Sequence, residues 1–187
     1  MDTLIPFPTG PSDRMLLALD VDGVLNKFTG DPEQAFIGPE RRHVRTAHGR
    51  GYYIDFEPEI IVELDTLIRD HNLELGWLTT WGPNARALVD QAFDGLLSGG
   101  FVLQKMPARY RGAIPANWKQ SGLRDRVQAT GQPWAWVDDD AIDMARSDSW
   151  FDQERDIGPR GLLVPTVPAT GITREQIAAI RAHAVNG

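Results

Sequence analysis

The chain has 187 residues, a formal net charge of −7 and no cysteine. This length suits one domain with a single core, and we interpret residues 1–187 as such a domain, with residues 1–13 as a loose N-terminal arm. The negative charge gives no general attraction to nucleic acid or to an anionic membrane. Because cysteine is missing, disulfides, thiolate zinc sites and thiol nucleophiles are excluded, and with no signal-peptide pattern we expect a cytoplasmic protein without a membrane partner.

Apolar runs and helical patterns alternate along the sequence. Buried strands are predicted at 16–19, 73–78, 101–103, 133–137 and 161–164. Helices are predicted at 58–72, 83–95, 117–130 and 141–150, and after a capping box formed by Thr173 and Gln176. A polar insert, 26–57, is predicted to hold a strand pair at 43–46 and 52–56. This alternation predicts an α/β fold with a doubly wound, mostly parallel sheet and helices on both faces.

The first strand ends in two carboxylates, Asp20 and Asp22, and Gly23 follows them. Side chains two residues apart point to the same side of an extended chain, so both carboxylates can face one site. Two adjacent carboxylates repel each other unless a cation joins them, and oxygen ligands without sulfur favour Mg²⁺. The sequence therefore predicts a magnesium cofactor at this strand end.

Two other predicted strands also end in polar side chains. Thr79 and Thr80 follow the second strand, and Asp138 and Asp139 follow the fourth. The carboxyl ends of parallel strands share one edge of a sheet, where α/β proteins bind ligands. Lys119 lies at the start of a predicted helix, whose positive end would add to its field. Acid, hydroxyl and amino groups are thus expected to meet in one crevice.

The order and spacing of these motifs resemble the haloacid dehalogenase superfamily of phosphatases over roughly residues 16–164. The sequence Asp20-Val-Asp22-Gly-Val corresponds to the first motif of that superfamily, and Thr79, at the end of an apolar strand, to its second. Lys119 corresponds to the third motif, and the Asp138-Asp139 pair to the fourth. Four motifs in the family order imply a Mg²⁺-dependent phosphomonoester hydrolase with a Rossmann-like fold.

The resemblance implies a role for each motif. Asp20 would attack phosphorus and form an aspartyl phosphate, while Asp22 would protonate the leaving oxygen and later activate water. Thr79 is favoured over Thr80 as the hydroxyl that binds a phosphoryl oxygen, although either could cap the next helix. Lys119, with Lys105 as a less suitable rival, would neutralise charge between nucleophile and phosphate.

The same resemblance implies a ligand set for the metal. Mg²⁺ would be held by the carboxylates of Asp20 and Asp138 and by the backbone carbonyl of Val21 or Asp22, with family precedent favouring Asp22. Asp139 would bind the metal or orient its outer shell, and Asp143 is the alternative for that role. These are the metal-site residues that the sequence proposes.

The substrate is predicted only by class. The insert 26–57 and the loop 104–116 are too short for a full lid, so the crevice is expected to be open. Arginine and histidine are frequent in both segments, which fits either a solvated hairpin or a guiding surface for a polyanion. A phosphorylated small molecule is the first expectation and a nucleotide or nucleic acid end the second, with Trp81 or Trp118 as a residue that could stack on a substrate ring.

Two other function classes are alternatives to a hydrolase. A signalling receiver also gathers acids, threonine and lysine around Mg²⁺, but its phosphorylated aspartate would follow the third strand, where Phe101-Val102-Leu103-Gln104 offers none. A non-catalytic module that binds phosphate and Mg²⁺ on the same fold is the other alternative. Phosphatase activity that depends on Asp20 would distinguish the enzyme from both.

Overall fold

The computed structural model describes residues 12–29, 38–107, 117–151 and 160–186. Most of the predicted N-terminal arm and of the loop 104–116 lies outside these residues. Seven strands are described: β1 (Leu16–Leu19), β2 (Glu40–Arg45), β3 (Gly51–Phe56), β4 (Glu74–Trp77), β5 (Phe101–Val102), β6 (Trp134–Asp138) and β7 (Gly161–Pro165). Five helices accompany them: α1 (Pro58–Asp70), α2 (Ala85–Gln91), α3 (Trp118–Thr130), α4 (Ala141–Arg146) and α5 (Arg174–Asn186).

Five strands form one parallel sheet in the order β5-β4-β1-β6-β7. The chain fills one side of β1 first and then crosses to β6 on its other side, so the direction of winding changes between these two strands. Ligands bind at such a switch point in open α/β sheets. The predicted doubly wound sheet is confirmed, and its order differs from the 2-1-3-4-5 order of receiver domains.

Alternate residues of β1 face opposite sides of the sheet, as the two-residue period of a strand requires. Leu17 and Leu19 join a core cluster that includes buried side chains of α1, α2 and α5. Leu16 and Ala18 join the cluster on the other face, which includes buried side chains of α3 and α4. The sheet is therefore covered on both faces, and this explains why its central strands are continuous apolar runs.

The predicted strand pair in the insert is an antiparallel hairpin of β2 and β3, with Glu40 opposite Phe56 and Arg45 opposite Gly51. It forms its own two-stranded sheet and packs against α2. Gly49 has a φ of 76° in the turn, a conformation that glycine adopts without steric cost. The insert thus places a small ribbon beside the main sheet.

Two helices are shorter than predicted. The segment expected to be helical from Pro83 to Gly95 begins with a 3₁₀ turn, Gly82–Asn84, and its α-helix ends at Gln91. The helix predicted to reach Trp150 ends at Arg146. Among the described helices, none combines the length and apolarity needed to cross a membrane.

Candidate active site

The carboxyl ends of β1 and β6 bring Asp20 and Asp138 together at the switch point. The Asp20 amide donates to the Val137 carbonyl, which continues the parallel pairing of the two strands by one residue (3.0 Å). Lys119, in the first turn of α3, extends its ammonium group between the two carboxylates, 2.5 Å from Asp20 Oδ2 and 2.7 Å from Asp138 Oδ2. All three side chains are buried.

Three carboxylates converge around this contact. Oxygens of Asp20, Asp138 and Asp139 lie within 4.8 Å of one another, the only such group of potential ligands that the described residues contain. Burial raises the pKa of Asp20, against the opposing effect of Lys119. Burial and the charge of Asp20 raise the pKa of Asp138 to about 6. When ionised, these three carboxylates carry more negative charge than the single ammonium group of Lys119 offsets.

The charge of Lys119 is maintained by its neighbours. Burial alone would lower the pKa of the ammonium group, but the charges and hydrogen bonds of Asp20 and Asp138 outweigh that effect and raise it. Lys119 is therefore a fixed cation in a pocket of carboxylates. By contrast, Lys105 is exposed.

The Asp22 carboxylate lies outside the three-carboxylate group and is held by two other side chains. Asn26 Nδ2 donates to its Oδ1 at 2.7 Å, and the indole Nε1 of Trp81 donates to its Oδ2 at 3.0 Å. Trp81 is buried, and its ring packs against Tyr52 of the hairpin with centroids 5.1 Å apart. In this arrangement Trp81 orients Asp22, whereas the sequence had suggested a role in stacking on substrate.

The two threonines after β4 differ in their surroundings. Thr79 is fully buried, and a hydrogen bond from its hydroxyl group to Asp20 opposes the rise in the pKa of Asp20 that burial causes. Thr80 is exposed. Only Thr79 therefore places a hydroxyl group next to the Asp20 carboxylate.

Asp139 and Asp143 also differ in position. Asp139 belongs to the carboxylate group, and burial together with the charges of Asp140 and Asp20 raises its pKa. Asp143 is exposed on α4, where its carboxylate contacts Arg146 at 3.4 Å. Gly23 explains how Asp139 comes so close to the β1 loop, because a Cβ at Gly23 would lie 2.6 Å from Asp139 Cγ.

The loop after β1 is a tight turn built on one carbonyl group. The Val21 oxygen accepts hydrogen bonds from the amides of Val24, Leu25 and Asn26 at 3.2, 2.9 and 2.9 Å. Thr166 follows β7, and its hydroxyl group donates to the Gly23 carbonyl at 2.8 Å, which ties the turn to a distant segment of the chain. The Val21 carbonyl is therefore fully engaged within the protein.

Two polar contacts of the site were not anticipated from the sequence. Asn26 joins Asp22 to the hairpin, since its Oδ1 accepts the Asp55 amide at 3.0 Å. The Trp136 indole donates to Asp138 Oδ2 at 3.2 Å. The contact of Trp136 with Asp138 could have been predicted, because the two residues are two apart on one strand and therefore point to the same face. Asn26 had no comparable signal, because its position depends on how the turn folds.

This fold and site define the class of protein. A doubly wound parallel sheet that places Asp20 next to Lys119 and an Asp pair at its switch point is the arrangement of haloacid dehalogenase hydrolases. A family model described as the HAD domain in Swiss Army Knife RNA repair proteins matches residues 16–177. The chain belongs to this family, and so to a superfamily of phosphatase-type hydrolases. No curated protein matches it.

Proposed function

We propose that the protein is a Mg²⁺-dependent phosphomonoester hydrolase in which Asp20 is the nucleophile. The contact of Asp20 with Lys119, within the group of three carboxylates, is the observation on which this proposal chiefly rests. Burying an aspartate next to a lysine and two further acids costs free energy, because charged groups lose their contact with water. Such clusters of perturbed groups are typical of catalytic sites.

The donor set fits a magnesium ion. Its side chains offer only carboxylate oxygens, which are the ligands that Mg²⁺ prefers. When ionised, the three carboxylates carry more charge than the one nearby ammonium group. Asp20, Asp138 and Asp139 would hold the ion together with the backbone carbonyl of Asp22, since the Val21 carbonyl already accepts three amides. When bound, Mg²⁺ would offset the charge of these carboxylates and of the phosphoryl oxygens.

The proposed reaction has two steps. In the first, an oxygen of Asp20 forms a bond to phosphorus, the ester bond to the leaving oxygen breaks, and Asp22 gives its proton to that oxygen. In the second, Asp22 takes a proton from water, whose oxygen bonds to phosphorus, and the bond between phosphorus and Asp20 breaks. Inorganic phosphate leaves, and both carboxylates return to their initial states.

The remaining side chains position charge. Lys119 would stabilise the negative charge that builds up between Asp20 and the phosphoryl group. The Thr79 hydroxyl group would donate a hydrogen bond to a phosphoryl oxygen. Asn26 and Trp81 keep the Asp22 carboxylate in one orientation.

The substrate class we propose is a phosphorylated end of a nucleic acid. The matched family is named for RNA repair proteins. A terminal phosphate on a polynucleotide is a phosphomonoester, the kind of bond that this carboxylate site can break. Single phosphorylated nucleotides are the smaller members of the same class.

Replacing the nucleophile tests the mechanism. We expect the parent protein with Mg²⁺ to hydrolyse p-nitrophenyl phosphate and 3′- or 5′-phosphorylated oligonucleotides, and Asp20→Asn to lose at least about a thousandfold in turnover because the attacking oxygen is replaced by an amide. Removal of metal with EDTA should abolish turnover and added Mg²⁺ restore it. Reduction of quenched reactions with borohydride should convert an aspartyl phosphate at Asp20 to homoserine with release of phosphate, and peptide mass spectrometry should find homoserine at that position.

Asp143→Asn is the matched control, because it makes the same chemical change at an exposed carboxylate of α4. Its turnover should equal that of the parent. Unchanged turnover in Asp20→Asn, with a melting temperature like that of the parent, would contradict the mechanism. Absence of turnover in every protein would favour a module that binds phosphate without hydrolysing it.

A further inference from the structure

The two faces of the β2–β3 hairpin differ in character. Its inner face packs on the protein, where Val44 and Ile54 are buried and Phe56 meets Phe93 edge to face at 5.4 Å. Its outer face carries the alternate residues of β2 and their partners on β3. These outer residues are Arg41, His43 and Arg45 on β2 and Gly51, Tyr53 and Asp55 on β3; Asp55 is buried, and the side chains of Arg41, His43, Arg45 and Tyr53 are exposed.

Three of the outer side chains, those of Arg41, His43 and Tyr53, form one contiguous group. The Arg41 guanidinium lies 5.4 Å from the centre of the Tyr53 ring, and the His43 ring lies 5.2 Å from it on the neighbouring strand. Tyr53 nevertheless remains 66% exposed. Gly51 leaves room for His43, because a Cβ there would lie 2.3 Å from His43 Nε2. The hairpin thus presents flat, solvent-facing rings next to a cation.

Charge favours a polyanion on this face. Residues 40–56 hold four arginines and two carboxylates in a chain whose net charge is −7. Arg41 pairs with Asp55, and Arg42 with Glu40 and Asp94. Within the described part of the chain, Arg45 and Arg50 make no ion pair. Local positive charge on an acidic protein attracts polyanions to that place rather than to the whole surface.

The hairpin is joined directly to the catalytic loop. Tyr52 packs on Trp81, whose indole binds Asp22, and the Asp55 amide binds Asn26, which also binds Asp22. Strand β3 of the ribbon therefore contacts, at Tyr52 and Asp55, both residues that hold the proposed proton donor. A chain lying along the outer face would lead towards the site.

We propose that this outer face is a docking platform for the single-stranded polynucleotide whose terminal phosphate enters the Asp20 site. Bases stack on Tyr53 and His43, while backbone phosphates lie against Arg45 and Arg50. Aromatic rings combined with cations bind single strands with little sequence preference, since every base has a flat face. The proposal rests on the proposed hydrolase function and adds to it how the substrate is held.

Binding is measured apart from turnover, with the full chain carrying Asp20→Asn and a fluorescent single-stranded RNA of about ten nucleotides. Adding Tyr53→Leu should raise Kd at least about fivefold, because base stacking is lost. Tyr53→Phe keeps the ring and should bind like the Asp20→Asn parent. Equal affinity in Tyr53→Leu would overturn the platform.

Salt dependence separates the arginines from the rings. Arg45→Ser with Arg50→Ser should lower the slope of log Kd against log salt by about 1.4, since each lost phosphate contact on a single strand accounts for about 0.7. Tyr53→Leu should leave that slope unchanged. Arg69→Ser with Arg146→Ser removes the same charge from α1 and α4 and is the control. An equal change of slope in the control pair would show general electrostatics and overturn the proposal.

Further binding experiments identify the ligand of the outer face and distinguish a failure of the docking platform from a failure of the hydrolase function. RNA and DNA of the same sequence should both bind, because stacking does not depend on the 2′-hydroxyl group; binding of neither overturns the platform. Tighter binding of an acidic peptide, or dimerisation that Tyr53→Leu abolishes, also overturns it. If the parent hydrolyses p-nitrophenyl phosphate but binds no polynucleotide, the platform alone fails; if it binds without hydrolysing any phosphomonoester, the hydrolase alone fails.

Discussion

Gly23 is the residue at which backbone conformation and site geometry depend on each other most directly. Its φ is 77°, a region that residues with a Cβ adopt at a cost of roughly 1–2 kcal/mol. A Cβ there would also lie 2.7 Å from Asp139 Oδ2. Gly49, in the hairpin turn, has a nearly identical φ of 76° and no atom within 4 Å of the same position. The pair therefore separates backbone strain from contact with Asp139.

We expect Gly23→Ala and Gly49→Ala to lose similar stability, roughly 1–2 kcal/mol, from the backbone conformation alone. Only Gly23→Ala should also weaken Mg²⁺ binding and p-nitrophenyl phosphate turnover, by about tenfold or more, because Asp139 must move. Urea unfolding measures the first effect, and Mg²⁺ titration of activity the second. A loss of Mg²⁺ affinity of equal size in Gly49→Ala would show that strain, and not Asp139, is responsible.

At the scale of elements, α3 must keep its first turn fixed, because Lys119 projects from it. Further along the helix, Arg126 Nη2 binds Glu74 Oε2 at 2.7 Å, at the start of β4. Gln132 and Ser12 donate to the same carboxylate at 3.1 and 3.0 Å. Although burial would raise the pKa of Glu74, these hydrogen bonds and the charge of Arg126 lower it below its ordinary value of 4.5. The network ties the helix to the end of the sheet opposite the site.

This network gives a prediction about pH. Since the folded pKa of Glu74 is lowered, its contribution to stability is present above pH 4.5 and is lost as the pH falls through the folded value. Glu74→Gln should cost about 3 kcal/mol at neutral pH, because the buried Arg126 loses the charge of Glu74. Its deficit relative to the parent should shrink at acidic pH, as followed by urea unfolding. Asp125→Asn, exposed on the same helix, should show no such convergence, and a constant deficit in Glu74→Gln would contradict the explanation.

The elements also show what sequence patterns could and could not predict. The capping box was visible and is confirmed, since Thr173 N donates to Gln176 Oε1 at 2.9 Å and Gln176 N to Thr173 Oγ1 at 3.3 Å. The end of α2 at Gln91 was not predicted; just beyond it, Phe93 packs on Phe56 of the distant hairpin, a contact that sequence patterns do not show. The break after α4 has a local signal in the sequence, namely Asp148, whose Oδ1 accepts the Trp150 amide at 3.0 Å.

The candidate site shows the same division. That Asp20, Thr79 and Asp138 would lie at one edge followed from their places at the ends of parallel strands. The hydrogen-bond partners of Asp22 could not be predicted in this way. Its contacts with Asn26 and Trp81 depend on the loop after β1 and on the hairpin, which meet only in the folded chain. Periodicity predicts which face a side chain occupies, whereas a hydrogen bond between distant segments requires the tertiary structure.

At the scale of the whole molecule, the sheet order brings acids from distant parts of the sequence into one place. β1 and β6 are neighbours although more than a hundred residues separate them, and the site at their ends holds three carboxylates and one ammonium group. Burial, together with the charge of Asp20, raises the pKa of Asp138 to about 6. At neutral pH the ionised Asp138 is therefore less stable in the metal-free fold than in the unfolded chain. A bound cation would turn this unfavourable arrangement into a favourable one.

We therefore expect Mg²⁺ to raise the melting temperature of the parent in proportion to the logarithm of its concentration, with a gain of about 2.7 kcal/mol when the concentration is a hundred times Kd. Asp138→Asn should lose this response, yet its metal-free melting temperature at neutral pH should not fall below that of the parent, because one crowded charge is gone. Asp140→Asn, which changes an exposed neighbour outside the carboxylate group, should keep the response. Scanning fluorimetry across a Mg²⁺ series measures all three proteins. A full Mg²⁺ response in Asp138→Asn would show that the ion binds elsewhere and that the fold does not gather these acids to hold it.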